Sequence, residues 1–88
     1  MTNNTAAICE ALVAIVADVL QIPLSPTPEV AKKTFPQLGV DSVSIYQIQI
    51  QLEERYGLAL DDGFLFEHAT PAQAAATIAQ QLAAKGSA

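Results

Sequence analysis

Over residues 5–21 the apolar positions Ile8, Cys9, Leu12, Val13, Ile15, Val16, Val19 and Leu20 share one broad arc at about 100° per residue. Glu10, Ala14, Ala17, Asp18 and Gln21 occupy the other. The spacing predicts an amphipathic helix with Cys9 inside its buried arc, as a core residue rather than a nucleophile. Residues 23–39, "PLSPTPEVAKKTFPQLG", follow as a long connection stiffened by four prolines. Within it, Thr27-Pro28 pairs an N-cap with proline at the first helical position, which predicts a short turn of helix through Lys33. Leu24, Val30, Phe35 and Leu38 are spaced to pin this loop onto a core. A last helix begins at Thr70-Pro71-Ala72-Gln73, which offers a capping threonine, Pro at N1 and a capping-box glutamine. It extends to about Ala84. Ala74, Ala75, Ile78 and Leu82 form its packing stripe, Gln73, Thr77, Gln80 and Gln81 face outward, and Lys85-Gly86-Ser87-Ala88 reads as a frayed tail.

The middle of the chain is ambiguous. In "GVDSVSIYQIQIQLEERYG", residues 39–57, apolar residues and glutamine alternate from Tyr46 to Leu52 as in a half-buried strand. The later "LALDDGFLF" carries an Asp-Gly hairpin signal, so a small α+β domain can be drawn. Against it, the alternation slips at Ile45-Tyr46. The run also ends in the helix formers Glu53, Glu54 and Arg55, with Gly57 placed as a C′ residue. Read as a helix, the segment has two opposed stripes: Ile45, Ile48, Leu52 and Tyr56 on one side, Val43, Tyr46 and Ile50 on the other. A domain this small buries one of them well. The second, beginning beside Ser42, faces solvent or a partner unless the helix is central enough to bury both.

At 88 residues the chain holds one domain, core about 5–84, and its 51% hydrophobic content places it among folded proteins. With 6% aromatic residues and no Trp, its core is aliphatic and alanine-rich. A net charge of −5 disfavours nucleic acid and anionic membrane and attracts a basic protein surface. The single Cys9 forms no internal disulfide, which fits a reducing compartment. The N-terminal stretch lacks a positive n-region, and Glu10 and Asp18 interrupt its apolar run, so no export signal or membrane span is expected and the default location is cytoplasmic. Asp61, Asp62, Glu67 and His68 match no metal-ligand spacing and read as a solvated loop.

Asp41-Ser42 ahead of a helical stretch is, by itself, a cap. Asp41 suits the N-cap position, and Gly39 permits a tight turn before it. A rival start exists at Ser44, because Ser44-Ile45-Tyr46-Gln47 is itself a capping box. No His or Lys stands beside Ser42 to activate it, which suits a serine modified by another enzyme better than a catalytic one.

"FPQLGVDSVSIYQIQIQLEERYGLAL" followed by "LFEHATPAQAAATIAQQL" resembles the acyl carrier protein family, including the carrier domains of polyketide and nonribosomal peptide synthases. Leu38-Gly39-Val40-Asp41-Ser42 is similar to the phosphopantetheine attachment motif, and Phe66 with Thr70-Pro71 to a second landmark before the final helix. The resemblance spans nearly the whole chain and decides for the helix. It implies an all-α four-helix bundle with a long loop between helices 1 and 2 and a short helix 3 around residues 63–67. It further implies 4′-phosphopantetheine attached at Ser42 by a transferase from coenzyme A with Mg²⁺, with Asp41 and Gly39 framing the site. The chain itself then catalyses nothing and binds no metal. Its partners are that transferase and acyl-loading, ketosynthase/acyltransferase or condensation-type enzymes, and it is expected to be a monomer.

Gly-Val-Asp-Ser resembles the polyketide-type acyl carriers, and Phe-Glu-His-Ala-Thr-Pro is more similar to modular-synthase carriers than to fatty-acid ones. The expected function is a discrete acyl carrier protein that holds intermediates as thioesters. A free-standing peptidyl carrier is the close alternative, and an unmodified helical adaptor is the rival from another class. Glu53 and Glu54 read as a solvated helix end, although the resemblance implies that such acids dock onto basic patches of partner enzymes. Here Gln47, Gln49 and Gln51 replace many of the acids usual on the exposed side of helix 2. Docking is therefore expected to lean on Val43, Tyr46 and Ile50, with Gln47, more than on charge.

Overall fold

The computed structural model describes residues 4–86. Three long helices, α1 (Thr5–Leu20), α3 (Ser42–Tyr56) and α5 (Pro71–Gly86), are joined by two short ones, α2 (Pro28–Lys32) and α4 (Phe64–Glu67), and a 3₁₀ turn at Pro36–Leu38. The described residues contain no strand, so the α+β alternative is excluded and the "LALDDGFLF" signal forms a turn into α4. α1, α3, α4 and α5 are the four helices of the expected bundle, and α2 is the extra turn after Thr27.

The caps explain most of the boundaries. Thr27 Oγ1 accepts from the Val30 N–H at 3.2 Å, and α2 stops at Lys32 because Lys33 turns to extended backbone. α1 ends at Leu20, one residue earlier than expected, with Gln21 at φ 55 in the left-handed region. There the Ile22 N–H reaches back to the Ala17 carbonyl, and Pro23 cannot carry the helix further. Thr70 Oγ1 accepts from the Gln73 N–H at the start of α5.

Helix α1 packs most extensively on α5 and then on α3, around Leu12, Val13, Val16, Ile48, Leu52, Ala74, Ala75 and Ile78, all essentially solvent-free. Alanines at 74 and 75 let α5 approach closely. Phe35, fully buried, fastens the long loop, with Leu38 and Val40 buried beside it and Leu24 and Val30 partly buried against the same core.

Several expectations need correcting. Cys9 is half-buried at the edge of α1, where burial and the Glu10 charge push its thiol up, away from a reactive thiolate. Thr77 and Gln81 do not face outward: both are half-buried, and Thr77 Oγ1 lies 3.3 Å from His68 Nδ1, so the half-buried His68 is not part of a solvated loop. Gln49 is buried rather than surface-facing, for a reason given below. Lys85 is not part of a frayed tail; α5 continues through it, and its ammonium donates to the Gly57 carbonyl at the end of α3. Ser87 and Ala88 of that tail lie outside the described residues.

Candidate functional site

The approach to Ser42 is built by local bonds. Thr34 and Gln37 form a reciprocal box over the 3₁₀ turn: the Thr34 N–H donates to Gln37 Oε1 and the Gln37 N–H to Thr34 Oγ1. The Phe35 carbonyl accepts from both Leu38 and Val40, and the Phe35 N–H donates to the Ala69 carbonyl at 2.9 Å. Between Leu38 and Val40 the chain must turn, and Gly39 does so at φ +100. A Cβ there would have room, 3.8 Å from Leu20 Cδ1, so the requirement is backbone conformation and not space.

Asp41 then caps α3. Its backbone is extended, and Oδ1 accepts from the Val43 N–H at 3.1 Å and the Ser44 N–H at 2.8 Å. The helix therefore starts at Ser42, and the rival box at Ser44 is not used as a start. The Ser44 N–H, followed by the Ser44 hydroxyl, holds the Asp41 carboxyl below its ordinary value. A depressed pKa makes Asp41 a poor general base for its neighbour. It also sets a sign: the cap's contribution to stability is complete above the ordinary carboxylate range and is lost as pH falls below it. Asp41→Asn, which keeps an acceptor but no charge, is expected to lose this acid-range dependence of the unfolding midpoint while remaining folded at neutral pH. If the mutant and the unaltered protein lose stability equally steeply in acid, the sensitivity belongs to other groups.

Ser42 is exposed at the first position of α3. Beside it lies a groove of about 400 Å³, walled by Val40, Ile45, Leu65 and Phe66, with Asp41 and Ser42 at its edge. No Lys, Arg or His lines it. His68 is engaged elsewhere, between Thr77 and the Phe64 ring 4.8 Å away. The second stripe of α3 is open to solvent: Val43 is 67% exposed and Tyr46 and Ile50 are each 53% exposed. Gln47 and Glu54 are exposed beside it, whereas Glu53 is only half-exposed and its carboxylate accepts from the Leu60 N–H. Phe66, 61% exposed, lines the same groove as Ser42, a neighbourhood its place in the sequence did not indicate. Among the described residues no group of three His, Cys, Asp or Glu could hold a metal, and no helix is long and apolar enough to cross a membrane.

An all-helical domain that presents an unactivated hydroxyl at a helix start, beside an apolar groove, suits a protein that receives a group. Residues 10–78 match the family model described as "Phosphopantetheine attachment site". The chain belongs to this family of phosphopantetheine-bearing carrier proteins, whose members hold 4′-phosphopantetheine covalently. Such carrier domains are not themselves catalytic and work with phosphopantetheinyl transferases and synthase enzymes. No curated protein matches the chain.

The residues present fit that group. A phosphodiester held on Ser42 would stand at the positive end of α3, where an anion is favoured by about 0.3–1 kcal/mol. Because Asp41 already occupies the Val43 and Ser44 N–H groups, the gain comes from the helix field and not from direct bonds to those two donors.

Proposed function

We propose that this chain is an acyl carrier whose 4′-phosphopantetheine is attached at Ser42, framed by Asp41 and Gly39, and that it serves polyketide or hybrid polyketide/peptide assembly. The observation that carries the reading is the placement of the Ser42 hydroxyl: exposed, first in its helix, and with no base at hand. In the loading step the Ser42 oxygen forms a new bond to the pantetheine-side phosphorus and the pyrophosphate linkage of coenzyme A breaks, with adenosine 3′,5′-bisphosphate as the leaving group. The hydroxyl proton leaves to a base supplied by the transferase. The thiol of the attached arm supplies the thioester on which an acyl group is carried, and a flexible tether raises that group's effective concentration at each active site within reach. What this chain contributes is the rigid helix start that presents the hydroxyl.

Intact mass after incubation with coenzyme A and a promiscuous transferase tests the reading. A gain of one phosphopantetheine is expected; no gain would leave the unmodified helical adaptor. Polyketide-type use is tested by loading in turn with acyl and aminoacyl groups from matching enzymes, and acceptance of aminoacyl groups alone would make it a peptidyl carrier.

Docking on partner enzymes, in this reading, uses Val43, Tyr46 and Ile50, with Gln47 and Glu54 at the margin. Apolar contact is little screened by salt, whereas surface charge attraction is. Loading rates are therefore expected to change by less than about threefold between roughly 0.01 and 0.15 M ionic strength, over which the Debye length shrinks from about 30 to 8 Å. A steep decline would transfer the docking role to the acids.

A further inference from the structure

α4 is a single turn of four residues, and its N-cap, Gly63, offers no side-chain cap. A helix this short does not hold itself in place. Yet it carries Leu65 and Phe66, which form one wall of the groove beside Ser42. On one flank His68 and Thr77 tie it to α5. On the other flank, two side chains one turn apart on α3 hold the segment leading into it. Gln49 Nε2 donates to the Leu60 carbonyl at 3.3 Å and to the Asp61 carbonyl at 2.9 Å, and Glu53 Oε2 accepts from the Leu60 N–H at 2.8 Å. Both backbone polar groups of Leu60 are thus bound by α3. The Asp61 carbonyl in turn accepts from the Phe64 N–H, the first bond into α4.

We propose that Gln49 and Glu53 are positioning residues: together they latch the α3–α4 loop, and through it they place the Leu65–Phe66 wall opposite Ser42. The same helix that presents the attachment serine then also sets the far side of its groove. Glu53 then acts through the acceptor capacity of its carboxylate and not as a charge offered to a basic partner. Among the acids at this end of α3, Glu54, exposed, is the one left for that purpose. Gln49, 7% exposed, has its amide nitrogen shared by two carbonyls, and a Leu there would strip a partner from each.

The consequence for loading rests on attachment at Ser42, whereas the latch itself does not, and the experiment separates the two. Amide hydrogen exchange reads the latch directly. In the unaltered protein the Leu60 amide is expected to be protected. In Glu53→Ala and Gln49→Leu the Leu60, Phe64 and Glu67 amides should exchange at least about fivefold faster, the factor that follows from one hydrogen bond's net contribution. Amides in the middle of α1 and α5 should exchange within about twofold of the unaltered protein. Glu53→Gln, neutral but still an acceptor, should behave like the unaltered protein both in exchange and in the rate of phosphopantetheine loading, while Glu53→Ala loads more slowly. An unprotected Leu60 amide in the unaltered protein overturns the latch, and this measurement needs no variant to fold. Loading of Glu53→Gln as poor as that of Glu53→Ala would make Glu53 a docking charge and refute the reassignment. If the unaltered protein gains no phosphopantetheine at all while Leu60 and α4 exchange as described, attachment has failed and the latch stands.

Discussion

Ser42→Ala is expected to gain no mass on incubation with coenzyme A and a promiscuous phosphopantetheinyl transferase, under conditions that load the unaltered protein completely. The substitution removes one exposed hydroxyl and leaves the structure that presents it. Asp41 still caps α3 through the Val43 and Ser44 N–H groups, neither of which belongs to residue 42. Alanine is the best of the helix formers, so helix content and melting temperature should hold. A loss of loading cannot then be ascribed to unfolding, and circular dichroism of the variant checks this. Ser44→Ala is the matched control. Ser44 is half-buried one turn-fragment further along and should be dispensable for loading. If Ser42→Ala still accepts the group, the assignment of the attachment point is wrong; a partial slowing in Ser44→Ala would reflect the loss of its hydroxyl's bond to Asp41.

The largest effect on stability is expected from Phe35→Ala. Phe35 is fully buried and is among the bulkiest side chains in the core. Deleting a buried phenyl ring costs about 3–5 kcal/mol, from lost transfer energy plus the cavity left behind. A domain of this length has only about 4–13 kcal/mol in total. At roughly 4–8 °C per kcal/mol, the melting temperature should fall by more than about 12 °C. The position also matters for the site. Phe35 gathers the turn before α3 through its carbonyl, which accepts from Leu38 and Val40, and ties that turn to Ala69 through its N–H. Loading at Ser42 should therefore decline in proportion to the unfolded or loosened fraction and recover on cooling. A drop below about 1 kcal/mol in denaturant unfolding would mean that the ring is not the anchor of this loop.

Much of the fold was legible because much of it is specified by residues three or four apart. Thr27 over Val30, Asp41 over Val43 and Ser44, and Thr70 over Gln73 are short-range bonds written in short motifs. The strand-like alternation from Tyr46 to Leu52 misleads only if each residue is given one of two faces. On a helix it resolves into a buried stripe, Ile45, Ile48 and Leu52, and an exposed one, Val43, Tyr46 and Ile50. Gln49 shows the limit of reading by residue type. Its chemistry groups it with Gln47 and Gln51, yet its angle lies about 40° from Ile45, inside the buried stripe. The wheel carried the signal, but a buried glutamine needs a partner, and that partner, the Leu60–Asp61 backbone, lies 11 and 12 positions away.

By itself, the sequence determined the first and last helices, the capping residues Thr27, Asp41 and Thr70 as candidates, and the two stripes that residues 43–56 would show as a helix, because each depends on local spacing and local hydrogen bonds. That residues 42–56 and 64–67 are helical followed only from the family resemblance. Only the tertiary structure decided what those elements meet: that Glu53 turns to Leu60, that Lys85 closes the end of α3 from 28 residues away, and that Phe66 lines the same groove as Ser42. These contacts join segments whose separation along the chain carries no periodic mark, and they exist only once burial of the shared core has brought the segments together.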